Sequence, residues 1–144
     1  MKSFITLLAV ALAINASAQT ATPQTSWGNY QHKSAGDKAN SDAEFSALAY
    51  MRTVVAAAKI YHRKHNAYPA SLAALVGSGS FTRRMAKTDR GDYTVLYKAR
   101  PQGYSLALTP RHFDPAHRSF YVDESGQFRA QEGTLATTSS PSLN

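Results

Sequence analysis

The sequence predicts an α+β domain in which a long N-terminal helix packs on a three- to four-stranded antiparallel sheet. Two observations carry this expectation. Residues 45–64 contain no Gly or Pro and repeat apolar side chains at helical spacing, and beyond residue 92 short runs alternate apolar with polar residues between turn signals. There is no cysteine among the 144 residues, so the fold relies on its apolar core, without disulfides, thiol chemistry or a thiolate metal site.

The helix is expected over residues 41–65. Ser41 can cap its first backbone N–H groups, and Glu44, three residues on, can reach back in a capping box. Met51, Val54, Val55, Ala58, Tyr61, His62 and His65 share one broad face, with Arg52, Lys59 and Arg63 opposite. A turn at residues 66–69 follows, and Pro69 suits the first turn of a short second helix carrying Leu72 and Leu75. Gly77 and Gly79 break that helix, and residues 81–90 form a basic connection.

Three strand-like runs come next. Tyr93, Val95 and Tyr97 share a face, as do Tyr104, Leu106 and Leu108 in the run after the turn at residues 100–103. Residues 119–122 lead through Asp123-Glu124-Ser125-Gly126 into residues 127–129, which reads as a tight hairpin. The Ser/Thr-rich tail, residues 131–144, is expected to be disordered. About 90 residues, 41–130, remain for one modest core.

The N-terminus reads as a secretory signal peptide over residues 1–18. Lys2 precedes an apolar run from Phe4 to Ile14 and an Ala16-Ser17-Ala18 cleavage pattern, which places the mature start at Gln19. That run is shorter than the roughly 20 apolar residues a spanning helix needs. Periplasmic or secreted localisation follows. Residues 19–40 read as a flexible leader in which Trp27 and Tyr30 are the exceptions. Formal charge is +7, or +6 without Lys2, a balance that favours acidic partners.

The helix end Tyr61-His62-Arg63-Lys64-His65-Asn66, the following Ala67-Tyr68-Pro69-Ala70-Ser71-Leu72-Ala73-Ala74-Leu75, Gly103-Tyr104-Ser105-Leu106, and the closing run Phe120 to Arg129 occur in a distinctive order. In that order and spacing the chain resembles the globular headpieces of type IV pilins and type II secretion pseudopilins, over residues 42–130. The resemblance implies a pilin-like headpiece and a role beside pilus or secretion components. It departs from those families at the start. No Gly-Phe junction followed by Glu is present, and the apolar run precedes a cleavage site that would remove it. A subunit without the N-terminal prepilin helix cannot enter a filament core in the usual way.

His62 and His65 have the i, i+3 spacing of a metal pair that His112, His117 and Asp114 could complete, yet they also suit the edge of the apolar face. Ser71, His112 and Asp114 include the residue types of a hydrolytic triad, but no nucleophile elbow accompanies them. Asp123 and Glu124 are adjacent and suit a turn better than paired acid catalysis. Tyr93, Tyr97, Tyr104 and Tyr121 read as core aromatics with hydroxyls at the edge. No catalytic, cofactor or metal residue is therefore assigned, and the domain reads as non-enzymatic.

One basic set stands out: Arg63, Lys64, Arg83, Arg84, Lys87 and Arg90. If the connection folds back beside the helix terminus, these form one anion-binding patch, with Tyr61 and Tyr68 nearby to stack on bases. The expected function is docking of an envelope protein such as a pilus or secretion component, through a sheet edge or this patch. The alternative is nonspecific binding of nucleic acid or an acidic polymer.

Overall fold

The computed structural model describes residues 29–143. The expected signal peptide, its cleavage point, Trp27 and most of the leader lie outside the described residues. Helix α1 spans Asp42–His65. Ser41 caps it, its Oγ accepting the Glu44 N–H at 3.1 Å. Asn66 ends it in the left-handed conformation (φ 51°), its N–H bonding His62 O at 2.8 Å. The capping box closes one residue earlier than the usual pattern: Glu44 Oε2 accepts the N–H of Asn40, at 2.7 Å.

Among the described residues the sheet has five strands, not three or four: β1 (Asp89–Arg90), β2 (Tyr93–Arg100), β3 (Gly103–Pro110), β4 (Ser119–Asp123) and β5 (Arg129–Gln131). They form an antiparallel meander in chain order. The additional strand is β1, two residues inside the expected basic connection. It is too short to show alternation and exists because Gly91, at φ 70°, turns the chain back onto Tyr93. Nor does α1 begin the described chain. Residues 29–41 precede it and pack on the domain, with Ala39 fully buried and the Tyr30 hydroxyl donating to Asp37 Oδ2 at 2.6 Å.

Three smaller expectations are also corrected. The second helix is reduced to a 3₁₀ turn, Ala73–Leu75, and a further 3₁₀ turn covers Arg83–Ala86. The tight hairpin is a longer connection, since Tyr121 pairs with Arg129 and residues 122–128 separate them. Residues 132–143 are laid against the sheet: Ser119 Oγ donates to Thr134 O, Ala130 N–H to Pro141 O, and Leu143 N–H to Phe128 O. The Ser140 and Thr137 hydroxyls serve this segment's own turn, Ser140 Oγ accepting the Thr137 N–H at 3.0 Å and Thr137 Oγ1 the Ser139 N–H at 3.2 Å.

Strand faces follow the period of two. Val95 pairs with Leu108, Tyr97 with Leu106, and Leu106 with Val122, so all lie on the face toward α1. There they meet Leu48, Met51, Val54, Val55 and Ala58 of the helix, together with Leu72, Leu75 and Phe81 from the connection. Each large side chain so buried contributes about 1.5–3 kcal/mol, which makes this single layer the main source of stability in a chain without disulfides. The other face is partly covered by residues 135–138, which is why Ser105, Ser119 and Tyr121 are buried there. Among the described residues no helix is long and apolar enough to cross a membrane.

Candidate functional site

The connection after Leu75 runs back along α1 toward its N-terminal half. Gly79 lies against Ile60, close enough that a Cβ there would sit 2.8 Å from Ile60 Cδ1. Further on, the Tyr50 hydroxyl donates to Met85 O at 3.0 Å, and the Arg90 guanidinium lies over the Tyr50 ring at 4.3 Å. Arg90 also donates from Nη1 to Arg84 O at 3.4 Å. These contacts fold the connection into one wall of a cleft of about 650 Å³, with Ser46, Ala47 and Tyr50 of α1 as the other wall.

Arg84, Lys87 and Arg90 line this cleft, together with the carboxylate of Asp89. Asp89 is not left to oppose them. Arg111 Nη2 approaches Asp89 Oδ2 at 2.8 Å, and that contact first, then the Gly91 N–H, holds the Asp89 carboxyl below its usual range. Burial pushes the Tyr50 hydroxyl up to about 12, against the opposing pull of the Arg90 charge, so it stays a neutral donor. The chemistry on offer is a neutral wall and three cations for an anionic group.

The structure divides the expected basic set. Arg63 and Lys64 are exposed at the far end of α1, thirteen or more residues beyond Tyr50 and hence roughly 20 Å along the axis. Arg83 is exposed on the same 3₁₀ turn as Arg84 but does not line the cleft. Tyr61 and Tyr68 also remain at the far end. Tyr61 is ringed against His65 with centroids 4.2 Å apart, and Tyr68 stacks on His62 at 4.2 Å.

Other candidates are separated or otherwise engaged. The His62 and His65 rings are committed to those aromatic contacts, while His117 Nδ1 lies 2.9 Å from the Asp114 carboxylate, and among the described residues no three His, Asp or Glu side chains converge as a metal site. Ser71 Oγ accepts the Ala74 N–H, and Asp114 pairs with His117 rather than His112, so the drawn triad is not assembled. Asp123 Oδ1 accepts the Ser125 N–H and hydroxyl, and Glu124 Oε2 accepts the Tyr104 N–H at 3.1 Å. Tyr93 and Tyr97 donate from the inner face to Arg118 O and Pro69 O, at 3.0 and 2.7 Å. Tyr121 lies on the outer face, where its hydroxyl accepts from Arg100 Nη2 at 2.6 Å.

Tyr50 and Arg111 carry no sequence signal of a site. Tyr50 has the signature of any core aromatic on a helix, and Arg111 reaches Asp89 only because β1, β2 and β3 align in register. Comparison with protein-family models, with curated proteins and with solved structures returned no match for this chain.

Proposed function

We propose that this chain is a non-enzymatic binding domain, exported to the periplasm or beyond, that docks an acidic segment of an envelope protein at the Arg84–Lys87–Arg90 cleft. Its resemblance to pilin and pseudopilin headpieces suggests a pilus or secretion component as that partner. One observation carries the reading: three cations line a single cleft whose acidic member, Asp89, is already paired with Arg111. A carboxylate entering there meets an unopposed positive field.

The nucleic-acid alternative is less well supported. Stacking on bases needs an open aromatic face beside the cations. Tyr50, the aromatic residue of the cleft, is only 4% exposed and lies beneath Arg90, while Tyr61 and Tyr68 stand at the other end of the helix.

Titration of the full chain with fluorescent poly-L-glutamate and with oligo(dT) tests the reading. Polyglutamate is expected to bind more tightly, to weaken between about 50 and 200 mM salt, and to lose its affinity in Arg84→Glu/Lys87→Glu. Tighter binding of oligo(dT) would transfer the assignment to nucleic acid. Polyglutamate affinity that survives the double charge reversal would overturn the cleft. Intact mass of the protein recovered from cell fractions tests export, for which a soluble species beginning at Gln19 is expected.

A further inference from the structure

We propose that the outer edge of β2, from Tyr97 to Arg100, is a docking site for an extended acidic strand of a partner protein, which joins the sheet through main-chain hydrogen bonds. This surface is distinct from the cleft, and neither proposal depends on the other.

The edge follows from the ladder. Val95 donates its N–H outward to Thr88 O at 2.8 Å, on the β1 side. Because the direction alternates along an antiparallel strand, Tyr97 and Ala99 also point their N–H and C=O groups outward, while Leu96, Lys98 and Arg100 bond toward β3. The register with β1 covers only Tyr93 and Thr94, and Thr88 is the last residue to bond this edge before the chain leaves at Lys87. Among the described residues nothing bonds the outward groups of Tyr97 or Ala99. The opposite margin of the sheet is different: β5 is covered by the Ala130–Pro141 bond and the Arg129–Ser142 bridge. One edge is closed by the chain itself, and the other carries two consecutive outward-facing positions ready for pairing.

The side chains along the edge identify the occupant. Lys98 and Arg100 are exposed on the outer face, and Leu96, 51% exposed, lies beside them against an apolar groove shared with Ala107 and Leu135. A second copy of this edge would set Lys98 and Arg100 against their own counterparts, and like charges across a strand pair repel. Such charges are the usual protection of an edge against its own kind. A foreign strand with acidic residues opposite Lys98 and Arg100 and an apolar residue opposite Leu96 turns the same charges into attraction, with the backbone supplying affinity.

Amide hydrogen exchange on the full ¹⁵N-labelled chain tests this, with an acetylated hexapeptide of alternating Glu and Val as probe. Tyr97 and Ala99 amides are expected to exchange rapidly in the free chain and at least about tenfold more slowly when the peptide is bound. Ala99→Pro deletes an outward N–H and no bond to β3, so it is expected to weaken binding roughly fivefold, the loss of one net hydrogen bond. Lys98→Glu/Arg100→Glu keeps the backbone and is expected to transfer preference to a Lys–Val peptide, which preserves the test if the proline variant does not fold. The proposal is overturned if these amides are already protected in the free chain, if the peptide protects only residues of the cleft, or if the charge-reversed variant keeps its preference for the Glu–Val peptide.

Discussion

Arg118 meets Glu44 across 74 positions of chain, with its backbone N–H 2.8 Å from Oε1 and its Nη2 2.7 Å from Oε2. Glu44 is fully buried, and its remaining capacity is taken by the Asn40 N–H. Arg118 Nη2 also donates to Lys38 O, so one guanidinium ties the lead-in of α1 to the start of β4. Removing Arg118 leaves the Glu44 carboxylate buried without a counter-ion, and removing Glu44 leaves the half-buried Arg118 guanidinium and the Asn40 N–H without their acceptor. Glu44→Ala or Arg118→Ala is expected to lower stability by about 3–5 kcal/mol in urea unfolding, and replacing both with apolar residues of similar volume is expected to cost less than either single change.

Gly103 sits beside the Glu124 carboxylate so closely that a Cβ would collide with it. Because Glu124 is exposed, its side chain can move aside, but only by releasing the Tyr104 N–H. Gly103→Ala and Glu124→Ala are each expected to cost about 1 kcal/mol, the net value of that bond. The double variant is expected to cost little more than one of them, because both remove the same interaction. Urea midpoints of the three variants check this.

The Tyr50 hydroxyl makes the fold sensitive to alkali. Its pKa is raised by burial from 10.0 to about 12, so the unfolded chain releases this proton first as pH rises. The stabilisation is complete below pH 10 and is lost as pH climbs from there toward 12. Tyr93, Tyr97 and Tyr104 shift in the same direction, also chiefly through burial. Urea midpoints measured from pH 8 to pH 11 are expected to hold level and then fall, with a shallower fall in Tyr50→Phe.

Arg111 acts on the cleft without lining it. Arg111→Ala frees the Asp89 carboxylate to oppose Arg84, Lys87 and Arg90. Affinity for polyglutamate is expected to fall about threefold, the scale of one exposed charge pair, and Asp89→Asn in the same chain is expected to restore it. Titration of the two variants beside the parent checks both directions.

The legible parts of this fold were those encoded within a few residues. Ser41 bounds α1 at its start, because an N-cap hydroxyl acts on the turn next to it, and the turn expected at residues 66–69 follows its end. The inner faces of β2 and β3 follow Tyr93, Val95, Tyr104, Leu106 and Leu108, because the pleat alternates regardless of what lies across it. The six cations were visible as a set, but their grouping was not. Arg84, Lys87 and Arg90 share a cleft with Tyr50 only because the connection folds back along α1, leaving Arg63 and Lys64 at the other end.

Sequence alone therefore determined the helix, its Ser41 cap and the faces of the two long strands, since each is set by short-range hydrogen bonding and side-chain period. Tertiary structure alone decided that two residues at Asp89 become a strand, that the Ser/Thr-rich segment covers the sheet, and that Glu44 turns from a helix cap into one half of a buried ion pair. Those outcomes depend on which distant segments meet when the chain closes around its core, and a local pattern carries no record of a partner 74 residues away.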